Sequence, residues 1–64
     1  MRFLIEQMAG DGHWFIRGSD RYEHDAKYHA EQYAQADHVY IRVTDALRSA
    51  VVFTRDERRM PPGV

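Results

Sequence analysis

The chain contains no cysteine, which excludes disulfides and thiolate zinc sites together. It also lacks any long apolar run: the longest, around AVVF at 50–53, is far too short to cross a bilayer. The opening MRFLIEQMAGDG places one arginine and three apolar residues ahead of a glutamate. That is too little apolar length for a signal peptide, so a cytoplasmic protein is expected. No glycine-rich phosphate loop is present, because AGDG at 9–12 leads into a predicted strand and not into a helix. Serine is scarce, and neither Ser19 nor Ser49 stands in the elbow sequence that exposes a hydrolase nucleophile. A chain of 64 residues buries only about 60% of its unfolded surface. Without disulfides or a thiolate metal site, core packing or self-association must hold it together.

Charge is present but unevenly placed. Residues 20–37 carry Asp20, Glu23, Asp25, Glu31 and Asp37 against Arg21 and Lys27, a net of −3. The remainder carries five acids and seven arginines, a net of +2, so the total is −1. One segment is acidic and the rest mildly basic, a balance that bears on partners and not on fold.

The residue pattern predicts five elements. MRFLIEQM alternates, with Phe3 and Ile5 on one side and Arg2, Leu4 and Glu6 on the other. AGDG is a turn signal, and HWFIRG alternates again, setting Trp14 and Ile16 opposite His13, Phe15 and Arg17. Ser19 or Asp20 is expected to cap a helix, since Asp20 and Glu23 have capping-box spacing. Tyr22, Ala26, Ala30, Tyr33 and Ala34 then recur on one helical face. HVYIRVTD is a strand with Val39, Ile41 and Val43 on one side, and AVVFTR another with Val51 and Phe53 inward. Pro61 and Pro62 end strand potential, so 1–57 is expected to be one domain and 58–64 a tail.

Strand, strand, helix, strand, strand implies an α+β two-layer sandwich: an antiparallel ββαββ sheet with one helix packed on one face. The expected core is Phe3, Ile5, Trp14, Ile16, Tyr22, Ala26, Ala30, Tyr33, Val39, Ile41, Val43, Val51 and Phe53. One helix leaves the second sheet face uncovered. DGHW between two strands, an alanine-rich helix holding HAEQYA, and two further strands resemble small stand-alone bacterial ββαββ domains of unknown function. The likeness spans residues 3–55. The TDALRS turn departs from it by lacking a glycine, and the resemblance implies the fold and no functional residue.

RYEHDAKYHAEQYAQADH invites a reading as a metal or acid–base site. Its geometry argues otherwise. His24 and His29 are five residues apart and diverge by about 140° around a helix. Asp25 and His29 have a shared-face spacing, but one pair is two ligands short of a structural zinc site, and a solvated face or an Asp–His hydrogen bond accounts for it. No metal or cofactor is expected. Carboxylates on a convex helix lack the concave, partly desolvated setting that acid–base catalysis needs, so no enzyme is expected either.

Two candidate surfaces remain. On the helix, Glu23, Asp25, Tyr28, Glu31 and Gln35 are expected to form an acidic surface for a basic, nucleic-acid-binding partner, with Tyr28 exposed opposite the alanine face. On the uncovered sheet face, Leu4, Phe15, Tyr40 and Val52 are expected, bordered by Arg2, His13, Arg17 and Arg42. Aromatics among arginines can stack unpaired bases, and an apolar centre with a polar rim is also the anatomy of a protein interface. Net charge and the acidic helix favour protein contact, including a homodimer, over nucleic acid. The expected function is a small inhibitor or adaptor, by analogy with phage and mobile-element accessory proteins such as anti-CRISPR inhibitors. The alternatives are a single-stranded RNA or DNA binder and a structural homodimer.

Overall fold

The computed structural model describes residues 2–58. Within them lie β1 (Phe3–Met8), β2 (Trp14–Asp20), α1 (Glu23–Asp37), β3 (Tyr40–Asp45) and β4 (Ala50–Asp56). The sheet order is β2-β1-β3-β4, with every neighbouring pair antiparallel. The expected α+β architecture is what forms: an antiparallel ββαββ sheet with one helix on one face. No helix among the described residues is long and apolar enough to cross a membrane. Of the expected tail, residues 59–64 lie outside the described range, whereas Arg58 stacks its guanidinium over the Tyr40 ring at 4.7 Å.

The β1–β2 connection decides which side chains face the helix. Ala9 N–H donates to His13 O at 2.7 Å, and Gly12 N–H donates to Ala9 O at 3.0 Å. The loop therefore holds three residues, Gly10, Asp11 and Gly12, closed by Gly12 at φ 94°. Met8 pairs with Trp14 and Gln7 with Phe15. A four-residue Ala9–Gly12 turn would instead have set Met8 against His13 and exchanged the two faces of β2. Consequently Trp14 and Ile16 turn away from the helix and leave the expected core, while Phe15 shares the helix side with Gln7.

Two bulges reset the pattern further along. One lies between Ile5 and Glu6, opposite Gly18 and Ile16, and makes Arg17 the extra residue of β2. The other lies between Val43 and Thr44, opposite Phe53 and Val51, and makes Val52 the extra residue of β4. Phe53 stays inward beside Val43, as expected. Val51, paired with Thr44, faces away from the helix, and Val52 packs against the core instead.

The core is small. Ile5, Ile41 and Val43 are its largest fully buried side chains, joined by Phe3 and the alanines Ala26, Ala30 and Ala34. The alanines sit four residues apart on the sheet-facing stripe of α1, where a bare methyl lets the helix lie close. Tyr33, Val39, Val52 and Phe53 pack around this centre. Tyr22 does not: it is the N-cap residue, in extended conformation, and its ring is exposed and stacked on His24. Ser19 and Asp20 lie within β2 and do not cap the helix, which has no side-chain cap. At the other end His38 adopts a left-handed conformation, φ 55°, and its N–H donates to Ala34 O at 2.9 Å.

Among the described residues, one charged group is buried with the core. Asp45, 2% exposed, receives a forked pair of hydrogen bonds from Arg2, Nε to Oδ1 at 3.1 Å and Nη2 to Oδ2 at 2.9 Å. Its Oδ1 also accepts the Leu47 and Arg48 amides, so the same carboxylate shapes the β3–β4 turn. The Arg2 hydrogen bond holds this carboxyl below the usual carboxylate range, against the opposing effect of burial.

Candidate interaction surface

The sheet face opposite α1 is built in rows. Leu4 stands between Ser19 and Thr44, with Val51 beyond; Glu6 stands between Ile16 and Arg42, with Thr54 beyond. At the end nearer the β1–β2 loop, Trp14 on β2 and Tyr40 on β3 meet edge to face across β1, with centroids 5.0 Å apart and planes at 67°. Arg42 covers the Trp14 ring, its guanidinium carbon 4.0 Å from the centroid.

Charge on this face is internally matched. Arg42 Nε donates to Glu6 Oε1 at 2.8 Å, and Thr44 Oγ1 donates to the same oxygen at 2.6 Å. Arg58 grips Asp56 through Nε (2.9 Å) and Nη2 (2.8 Å) while covering Tyr40, and its Nη1 reaches Met8 Sδ at 3.7 Å. Two acids thus balance two bases. The uncovered part is mixed: Ile16 is 59% exposed and Val51 49% exposed, alongside exposed Ser19, Thr54 and the Asp56–Arg58 pair, while Leu4, Met8, Trp14 and Tyr40 are half-buried between them.

Of the residues expected here, Leu4, Tyr40 and Arg42 are brought together. Phe15, Arg17 and Val52 are not, because loop length and the two bulges turn them to the helix side. Arg17 instead ties the helix to the sheet: Nη1 donates to Gln7 Oε1 (3.0 Å) and Asp37 Oδ2 (2.6 Å), and its guanidinium lies over Tyr33 at 4.2 Å. Of the expected border, Arg2 is drawn to buried Asp45 and His13 is bonded to Asp11 within the loop. Glu6 lies on the Leu4 side as alternation had placed it, whereas Met8, Trp14, Ile16 and Val51 were missed as face residues. The signal that could have found Trp14 and Ile16 is Gly12, since a left-handed glycine closing a three-residue loop sets the parity of the hairpin, and Met8 follows from the alternation of β1.

The helix residues are distributed differently. Tyr28 is 61% exposed, and Gln35 lies on the same outer side. Glu23 pairs with Lys27 at 2.7 Å, and Glu31 lies 3.5 Å from Arg55. Asp25 lies 3.3 Å from the His24 ring, and since Glu23 and Asp25 are about 200° apart around the axis they belong to different sides. His29 bonds Asp20 on β2, Nδ1 to Oδ2 at 2.9 Å, and not Asp25 as the spacing had suggested. Among the described residues no three histidine, aspartate or glutamate side chains converge as a metal cluster would require. Comparison with protein-family models, with curated proteins and with solved structures returns no match for this chain. Function is therefore read from the residues themselves.

Proposed function

We propose that this chain is a non-catalytic protein-binding module whose contact surface is the open sheet face. The observation that carries it is the exposure of Ile16 beside the Trp14–Tyr40 pair, with Val51 exposed on the opposite outer strand and the charges between them matched as Glu6–Arg42 and Asp56–Arg58. A tryptophan, a tyrosine and an arginine packed together are the residue types that dominate interface energetics. Nucleic acid fits less well. A phosphate would have to displace Glu6 from Arg42 or Asp56 from Arg58, and the chain as a whole carries −1. An inhibitory or adaptor role, of the kind that phage accessory proteins such as anti-CRISPR inhibitors fill, suits so small a module by analogy.

The exposed ring of Tyr28 favours a second reading, in which the outer side of α1 meets a basic protein. A photo-crosslinking amino acid at position 16, compared in cells with the same group at position 28, separates them. Protein adducts formed from position 16 support the sheet-face reading. Protein adducts from position 28 alone move the contact to the helix. Adducts to nucleic acid alone from position 16 overturn the protein-binding role.

A further inference from the structure

The face that is open in one copy has the properties needed to close on another. We propose that two copies of this chain stack their open sheet faces in an isologous dimer, an inference that rests on the sheet face being a protein contact and names its occupant.

Charge is the first argument. In a twofold pairing each surface meets itself, so a face of one sign would repel its copy. Here Glu6 and Arg42, and Asp56 and Arg58, are paired within the chain, so among the described residues the face carries matched charge. Among the described residues, burying it would leave each of these charges with its partner, which lowers but does not remove the desolvation cost. The apolar side chains, Leu4, Met8, Trp14, Ile16, Tyr40 and Val51, are spread over all four strands, so they can meet across a twofold axis.

Size and need supply the second. Four strands spaced about 4.8 Å apart, each of up to seven residues rising about 3.3 Å, give a face of about 440 Å² on each copy. The two copies together give about 880 Å² before side-chain relief is counted, close to the roughly 1,000 Å² in total of a specific interface. Among the described residues of one copy, by contrast, the largest fully buried side chains are Ile5, Ile41 and Val43. Stacked sheets pack about 10 Å apart, and such a layer would convert a two-layer fold into four layers with a second apolar core.

The test uses the full chain. Sedimentation from low micromolar to millimolar concentration should show a species of twice 7.6 kDa, dissociating on dilution. Trp14, the sole tryptophan, lies on the proposed interface, so its emission should shift to the red over the same dilution. Ile16→Glu with Val51→Glu places two charges per copy in the interface and should weaken association by at least about a hundredfold. Should that variant fail to fold, the melting temperature of the unaltered chain must still rise with its concentration. A monomer throughout, with constant Trp14 emission, overturns the dimer; if position 16 then still crosslinks to a different protein, the protein-contact reading stands without it. A dimer that survives both substitutions places the interface elsewhere and overturns the proposal equally.

Discussion

Arg42 holds Glu6 with its Nε at 2.8 Å while its guanidinium lies 4.0 Å from the centroid of the Trp14 ring. One side chain thus links a carboxylate on the central strand β1 to an aromatic ring on the outer strand β2. Arg42→Ala removes the stacking and leaves Glu6, only 15% exposed, without its cation. A loss of about 1.5–3 kcal/mol is expected in urea unfolding, as for other hydrogen bonds to charged groups. Glu6→Gln should cost less, because an amide oxygen can still accept from Thr44 and Arg42.

Asp45 ties the fold to pH. Its carboxyl lies below the usual carboxylate range in the folded chain, so the unfolded chain binds the proton more readily. The stability it contributes is complete above the unfolded pKa and is lost as pH falls through the folded one. Thermal melts should therefore fall steeply in the acid range below about pH 4. Asp45→Asn should lower stability at neutral pH and make this acid limb shallower. An equally steep limb in that variant would assign acid sensitivity to other carboxylates.

Two of the glycines of the first hairpin should respond in opposite directions. Gly12 sits at φ 94°, where a Cβ is strained, and Gly12→Ala should cost about 1–2 kcal/mol. A Cβ at Gly18 would meet Tyr33 Oη at 3.7 Å and Ile5 Cδ1 at 3.8 Å, ordinary contact distances. Gly18→Ala should thus be neutral or stabilising by up to about 1 kcal/mol through the unfolded chain. Chemical denaturation of the two variants side by side makes the comparison.

Ala30 is fully buried between α1 and the sheet. Ala30→Leu should push the helix outward and cost about 1–3 kcal/mol, whereas Gln32→Leu on the exposed side should scarcely alter the melting temperature. Equal effects from both would contradict the close helix–sheet approach.

Stoichiometric zinc should leave the melting temperature unchanged, since His29 is turned to Asp20 and His24 projects into solvent. A rise of several degrees would place a metal site among side chains that do not converge here.

Element types and order were legible from residue periodicity, because alternation in β1 and β3 and the alanine stripe of α1 are each repeated signals. Phe3, Ile5, Ile41 and Val43 therefore landed in the core as expected. What periodicity could not carry was phase across a connection. A loop shorter by one residue moved Trp14 and Ile16 to the open face, and a single extra residue at Val52 exchanged its role with that of Val51. Partners of charged side chains were illegible for a related reason. Arg17 reaches Asp37 and Arg2 reaches Asp45 only once the strands are aligned, twenty and forty-three residues apart in the chain.

The extra residues Arg17 and Val52 occupy β2 and β4, the two outermost strands of the sheet. Each interrupts the regular spacing of backbone donors and acceptors along a rim that would otherwise template another strand. Side-by-side growth into an extended ribbon is thereby obstructed at both ends of the sheet. The outer strands that expose Ile16 and Val51 thus each carry a register irregularity of the kind that opposes open-ended polymerisation.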